Sequence, residues 1–161
     1  MQAYTIGIAE MKVAKAPDRI VTLGLGSCVG LTLYDPMTKI GGMVHIMLPS
    51  SAEMSDPANK AKFADTAVPV LINAMVKAGA NRLMLRAKLT GGASMFQSTG
   101  SNSLMNIGER NAKMCKEALK AQRINVMSED IGGKSGRSIE LNCDTGELQI
   151  RTVAPKSIRL I

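Results

Sequence analysis

The sequence predicts an α/β fold, a single-domain sandwich of mixed, largely antiparallel sheets with helices packed outside. Three observations predict it. Short runs that alternate apolar with polar residues recur along the chain between turn-forming clusters, which is the period of strands. Two longer stretches repeat apolar residues at helical spacing instead. The length of 161 residues, with 45% hydrophobic and 20% charged side chains, supports one real core but not two independent ones, so 1–161 is expected to be one domain.

Thr5 to Val13 reads as an opening strand with Ile6 and Ile8 inward, and Ala16-Pro17-Asp18 ends it before a strand from Ile20 to Leu25. Val29 to Tyr34 and Ile40 to Leu48 each alternate, and Asp35-Pro36-Met37-Thr38 has the chemistry of the turn joining them as a hairpin. Pro49 to Asn59 is polar and turn-rich, a surface linker or a lid leaving directly from the second strand. Lys60 to Ala78 places Ala64, Val68, Leu71, Ile72 and Met75 on one helical face and stops at Gly79. Pro69 leaves two starts open, near Asp65 with proline in the first turn, or at Lys60 with a kink.

Arg82 to Leu89 alternates basic with apolar residues, with Leu83, Leu85, Ala87 and Leu89 inward. Thr90 to Phe96 is a glycine-rich turn, either a sharp bend or a backbone that a ligand approaches. Gln97 to Leu104 is a loop. Asn106 then caps a helix from Ile107 to Gln122 whose inward stripe includes Asn111, Cys115, Ala118 and Leu119. Ile124 to Asp130 is a short strand, and Ser138 to Cys143 pairs with Glu147 to Val153 around Asp144-Thr145-Gly146, with the cysteine or asparagine at that turn exposed.

The first hairpin holds the chain's single histidine and one of its three cysteines. With residues 35 to 38 as the loop, Tyr34 faces Lys39, Leu33 faces Ile40, Val29 faces Val44 and Cys28 faces His45. Directly opposed residues have Cβ atoms about 4.5–5.5 Å apart, which brings thiol and imidazole within hydrogen-bonding reach. Such a pair turns an inert cysteine into a nucleophile, with the imidazole taking the thiol proton or holding the thiolate. Gly24, Gly26, Gly30, Gly41 and Gly42 around it permit bends that free N–H groups, with those near Gly26, Ser27 and Cys28 as a candidate oxyanion hole. The alternative is a buried structural cysteine beside a satisfied histidine, and a bulge in either strand would put the two side chains on opposite faces. Met43, on the same face, is either core filler or part of an adaptable rim for a partner.

Several classes of function are disfavoured. A net charge of +7 permits a nucleic-acid partner, but the basic residues form no run, and two Phe, two Tyr and no Trp leave few platforms for base stacking. Cys28, Cys115 and Cys143 are an odd, widely spaced set without a C-x-x-C pair, which supports neither a disulfide framework nor a zinc ribbon. Gly133-Lys134-Ser135 invites a phosphate-loop reading, but Ser128 stands where that motif needs glycine. No cofactor is expected. With no secretory leader and no apolar span, the chain is expected to be cytoplasmic and without membrane insertion.

The stretches VTLGLGSCVG (21–30), GGMVHIMLP (41–49), FADTAV (63–68), LTGGASMF (89–96) and MNIGERN (105–111) resemble the chemoreceptor glutamine deamidase family, CheD, over nearly the whole chain. The segment around Thr99 to Ser103 is longer than that family's pattern. The resemblance implies a compact α/β sandwich that hydrolyses glutamine side-chain amides of methyl-accepting chemotaxis receptors to glutamate. It implies Cys28 as nucleophile, His45 as base and Thr22 as the residue orienting the histidine. It also implies a CheC-type phosphatase as partner, and it puts Gly91, Gly92, Ser94, Met95 and Phe96 near the substrate or partner surface. A second reading is a non-catalytic module that grips a receptor-like helix through the same surface.

Overall fold

Alternation along the strands β4 (Val29–Asp35) and β5 (Ile40–Ile46) sorts their side chains into two separate cores. Val29, Leu31, Leu33, Val44 and Ile46 point to one side, where α1 (Ala64–Lys77) and α2 (Ile107–Ala121) cover them. Gly30 and Gly41 point to the other, where a second sheet packs. Burying each of Leu31, Leu33 and Ile46 fully contributes about 1.5–3 kcal/mol, so this central hairpin fixes the layers. The structure, a computed structural model, describes residues 1–53, 58–94 and 106–161.

One sheet runs in the order β1 (Ala3–Ile6), β3 (Arg19–Leu25), β8 (Arg137–Asn142), β9 (Leu148–Val153) and β10 (Lys156–Leu160), parallel only between β1 and β3. The other runs β2 (Met11–Lys15), β5, β4, β6 (Arg86–Gly91) and β7 (Asn125–Ile131), parallel only between β6 and β7. Ile20, Leu25, Met43, Ile139, Leu141 and Ile150 fill the space between the sheets. The mixed, largely antiparallel sandwich with outer helices is therefore the architecture the sequence predicted.

Several boundaries differ, each for a local reason. The opening segment is two strands in different sheets, because Ala9 takes φ 63° and Glu10 accepts the Gly7 N–H at 2.9 Å, turning the chain. Ile8, expected inward, sits on that turn and is 56% exposed. Leu83 is 91% exposed, since Arg82–Met84 forms a short 3₁₀ turn capped by Asn81 and the strand starts only at Arg86. Of the two helix starts, the nearer one holds: α1 begins at Ala64, and Pro69 lies inside it beyond the first turn. Cys143, expected exposed, is fully buried between the sheets. The edge strand β10 was not predicted; its exposed residues lack the half-buried alternation that marks a strand.

The hairpin register also differs. Asp35 remains in β4 opposite Ile40, because its side chain turns back to accept the N–H groups of Met37 at 2.8 Å and Thr38 at 3.3 Å. The loop is thus residues 36 to 39, with Lys39 at φ 56°, and every pair moves by two from the predicted partner.

Candidate active site

The chain leaves the first sheet at Leu25 and enters the second at Val29, so the bend Gly26-Ser27-Cys28 crosses between the sheets. Its carbonyls are held from the glycine-rich turn after β6. The Gly92 N–H donates to the Cys28 carbonyl and the Ala93 N–H to the Gly26 carbonyl, both at 2.9 Å. Gly91, at φ 107°, comes so close that a Cβ there would lie 2.3 Å from the Cys28 carbonyl oxygen. Close backbone approach, rather than the bend alone, therefore requires glycine at this position.

His45 faces Gly30, not Cys28 as predicted, because of the shifted register. A shift of two keeps both residues on the same side of the sheet, and Cys28 becomes the diagonal neighbour of His45 one step beyond the last ladder pair. Diagonal Cα atoms stand about 7–8 Å apart, a span that a long or aromatic side chain crosses. The half-buried Cys28 packs against the cluster between the sheets. The histidine is fully buried, and its backbone is tied on both sides to the start of β2, by Ala9 at 2.9 Å and Glu10 at 3.1 Å.

Thr22, on β3 in the opposite sheet, lies with its Oγ1 2.7 Å from His45 Nδ1. The hydroxyl has one proton, and it donates that proton to the Ile6 carbonyl at 2.9 Å. It must therefore accept from His45, so Nδ1 carries the imidazole proton and Nε2 carries a lone pair. Nε2 is buried and has no hydrogen-bond partner among the described residues. An orphaned buried acceptor costs stability unless something uses it.

Burial holds His45 below the ordinary histidine value, and burial pushes the Cys28 thiol up, opposed by its own backbone N–H. Both directions favour a neutral thiol beside a neutral imidazole. No hydrogen bond joins His45 Nε2 to the Cys28 thiol, so the hydrogen-bonded pair expected from direct opposition does not form. Burial pushes Cys115 up to about 12 and Cys143 up to about 11, and both are enclosed, so Cys28 is the only cysteine with exposed surface.

Other predicted site residues separate. Gly26 and Ser27 are half-buried on the bend, Gly91 and Gly92 are buried beneath it, and Ser94 is half-buried at the turn's end, its N–H donating to the Gly133 carbonyl at 2.8 Å. Met43 is fully buried between the sheets, which removes it from any partner rim; the face it shares with His45 is roofed there by the first sheet. Met95, Phe96, the loop Gln97 to Leu104 and part of the segment Pro49 to Asn59 lie outside the described residues. Among the described residues no His, Cys, Asp or Glu side chains gather as a metal-ligand set, and no helix is long and apolar enough to cross a membrane.

One contact escaped the sequence reading. Asn111 of α2 is fully buried and donates from Nδ2 to the carbonyls of Ser27 at 2.9 Å and Met47 at 3.0 Å. The only signal for it was an amide on the inward stripe of an otherwise apolar helix face.

The family profile described as CheD chemotactic sensory transduction matches residues 47–152, a span that starts just after His45. Two relatives, from Caldanaerobacter subterraneus subsp. tengcongensis and Clostridium botulinum strain Hall, each bear the name "Probable chemoreceptor glutamine deamidase CheD". The first is 51% identical over 148 residues, covering 92% of this chain and 91% of the relative; the second is 49% identical with the same coverage. Both the profile, which spans most of the chain, and these relatives assign it: the chain belongs to the CheD family.

Proposed function

We propose that this protein deamidates glutamine side chains of methyl-accepting chemotaxis receptors, with Cys28 as nucleophile, His45 as base and Thr22 as the residue that fixes the histidine's tautomer. The observation that carries the reading is the lone pair of His45 Nε2, aimed by Thr22 on the same side of the sheet as Cys28. Nε2 takes the thiol proton as sulfur attacks the glutamine carbonyl, and a C–S bond forms. The carbonyl oxygen gains the negative charge. Backbone N–H groups of Ser27 and Cys28 receive it; the Ser27 N–H enters no backbone hydrogen bond among the described residues, and the Cys28 N–H lies against its own sulfur, next to where the oxyanion forms. As the tetrahedral intermediate collapses, the imidazolium returns its proton to the departing nitrogen and ammonia leaves. Water, deprotonated by Nε2, then cleaves the thioester and releases glutamate and the free thiol.

The surface around the half-buried Cys28 would serve a CheC-type phosphatase as well as a receptor, and the protein would work in the cytoplasm. A module that only binds would have no use for an orphaned, oriented imidazole. Receptor incubated with the protein and peptide-mapped by mass spectrometry tests the function: specific Gln-to-Glu conversions that depend on the protein are expected. A receptor that binds yet keeps every glutamine would favour the binding module.

A further inference from the structure

The ladder between β4 and β5 ends at Val29 and Ile46, and beyond it the two chains part. Ser27 continues into the bend, while Met47 turns its N–H to the Lys62 carbonyl at 3.0 Å. The side-chain amide of Asn111 fills the fork. Both of its Nδ2 protons are used, one on the Ser27 carbonyl and one on the Met47 carbonyl. The amide's orientation is thereby fixed, because the flipped form would set Oδ1 against two carbonyl oxygens.

The Ser27 carbonyl and the Cys28 N–H belong to one peptide unit, which is planar and holds the two groups pointing in opposite directions. Whatever fixes the carbonyl therefore aims the N–H. On the other side of Cys28, Gly92 fixes the next carbonyl at 2.9 Å. The peptide planes on both sides of the nucleophile are thus held, one by a side chain from α2 and one by the turn after β6.

We infer that Asn111 is a positioning residue for the deamidation, aiming the Cys28 N–H at the oxyanion by gripping the carbonyl of the same peptide unit. By holding Met47 with the same nitrogen, it also sets the nucleophile's bend against the end of the strand that carries His45. The inference rests on the proposed roles of Cys28 and His45, and it assigns to α2 a part in catalysis beyond covering the core.

The test is a comparison of two reactions of one sulfur. Deamidation passes through an oxyanion; alkylation of Cys28 by iodoacetamide does not. Asn111→Ala should lower kcat for receptor deamidation about 100-fold, the scale of losing one oxyanion donor, with KM and the Cys28 alkylation rate within about threefold of wild type. Asn111→Asp keeps the volume but offers at most one proton to two carbonyls. It should fall nearly as far, and it carries the test should the alanine variant not fold. Wild-type kcat in either variant overturns the inference. So does a loss of kcat matched by an equal change in alkylation rate and a lowered Tm, which marks general loosening. Cys28→Ala, run in parallel, should be inactive; if it deamidates normally, the reading of the site itself fails, whatever Asn111 does.

Discussion

Thr22 Oγ1 stands 2.7 Å from His45 Nδ1 across the gap between the two sheets, and the threonine's own proton is already given to Ile6. One residue of the first sheet thereby decides which nitrogen of the histidine in the second sheet is free. Removing the hydroxyl should leave an imidazole free to adopt the wrong tautomer. General-base help is worth about 10²–10⁴-fold, so Thr22→Val should lose at least about tenfold in kcat despite its matching volume, while Thr22→Ser keeps most activity. Full activity in Thr22→Val, measured by receptor peptide mapping, would take Thr22 out of the site.

The pH profile has a definite sign. As the proposed base His45 must be unprotonated, and burial holds it in the folded chain below the ordinary value of about 6.5. Deamidation should therefore be level at neutral pH and be lost only as pH falls through that lowered value, with a midpoint below about 6.5. With one histidine in the chain, a His45→Ala variant should lack both the rate and the limb. An acid limb centred above neutrality would mean that the imidazole is stabilised as a cation, contrary to its burial.

Thiol reactivity separates the three cysteines. Burial raises all of them, but Cys115 and Cys143, at about 12 and about 11, also lie enclosed in the core. Under limiting iodoacetamide, Cys28 should label first, with a rate that climbs as pH rises toward its elevated value, since thiolate is the reactive form. A rate already level at neutral pH would point to a standing thiolate and against the neutral pair.

Much of this was legible in the sequence because it rests on alternation, which survives small errors of register. Placing Cys28 and His45 on one face needed only the period of two, and a slip by two preserved it. The direct opposition of the two residues does not hold, because Asp35, which has the chemistry of a first loop residue, stays in the strand and its carboxylate caps the turn from there. Thr22 carries no signal of its own in the chain; its contact with His45 depends on a second sheet folding over the first, and only the family resemblance points to its proposed role. Asn111 and Gly91 meet the backbone carbonyls of Ser27 and Cys28; an inward amide and a glycine-rich turn mark the two positions in the sequence, but not the carbonyls they meet.

The last residue of β6 should tolerate no side chain under Cys28. Gly91→Ala forces a Cβ toward the Cys28 carbonyl at a φ of 107°, so the bend must shift. Misplacing a reacting group by about 1 Å costs on the order of 100-fold, and a kcat loss of that size is expected. Gly24→Ala is the control: φ is also positive there, but nothing lies within 4 Å of the added Cβ, so it carries backbone strain without the collision. Equal losses in the two variants would attribute the effect to backbone strain instead.

In the proposed reaction the Cys28 sulfur bonds to the side-chain carbonyl carbon of a receptor glutamine, and acid-quenching a reaction of protein with receptor captures that bond. Peptide mapping of the quenched mixture should find a receptor peptide joined through its former glutamine carbonyl to the Cys28 peptide, with the adduct and the Gln-to-Glu conversion both missing in Cys28→Ala. Full conversion by Cys28→Ala, or an adduct on Cys115 or Cys143, would contradict it.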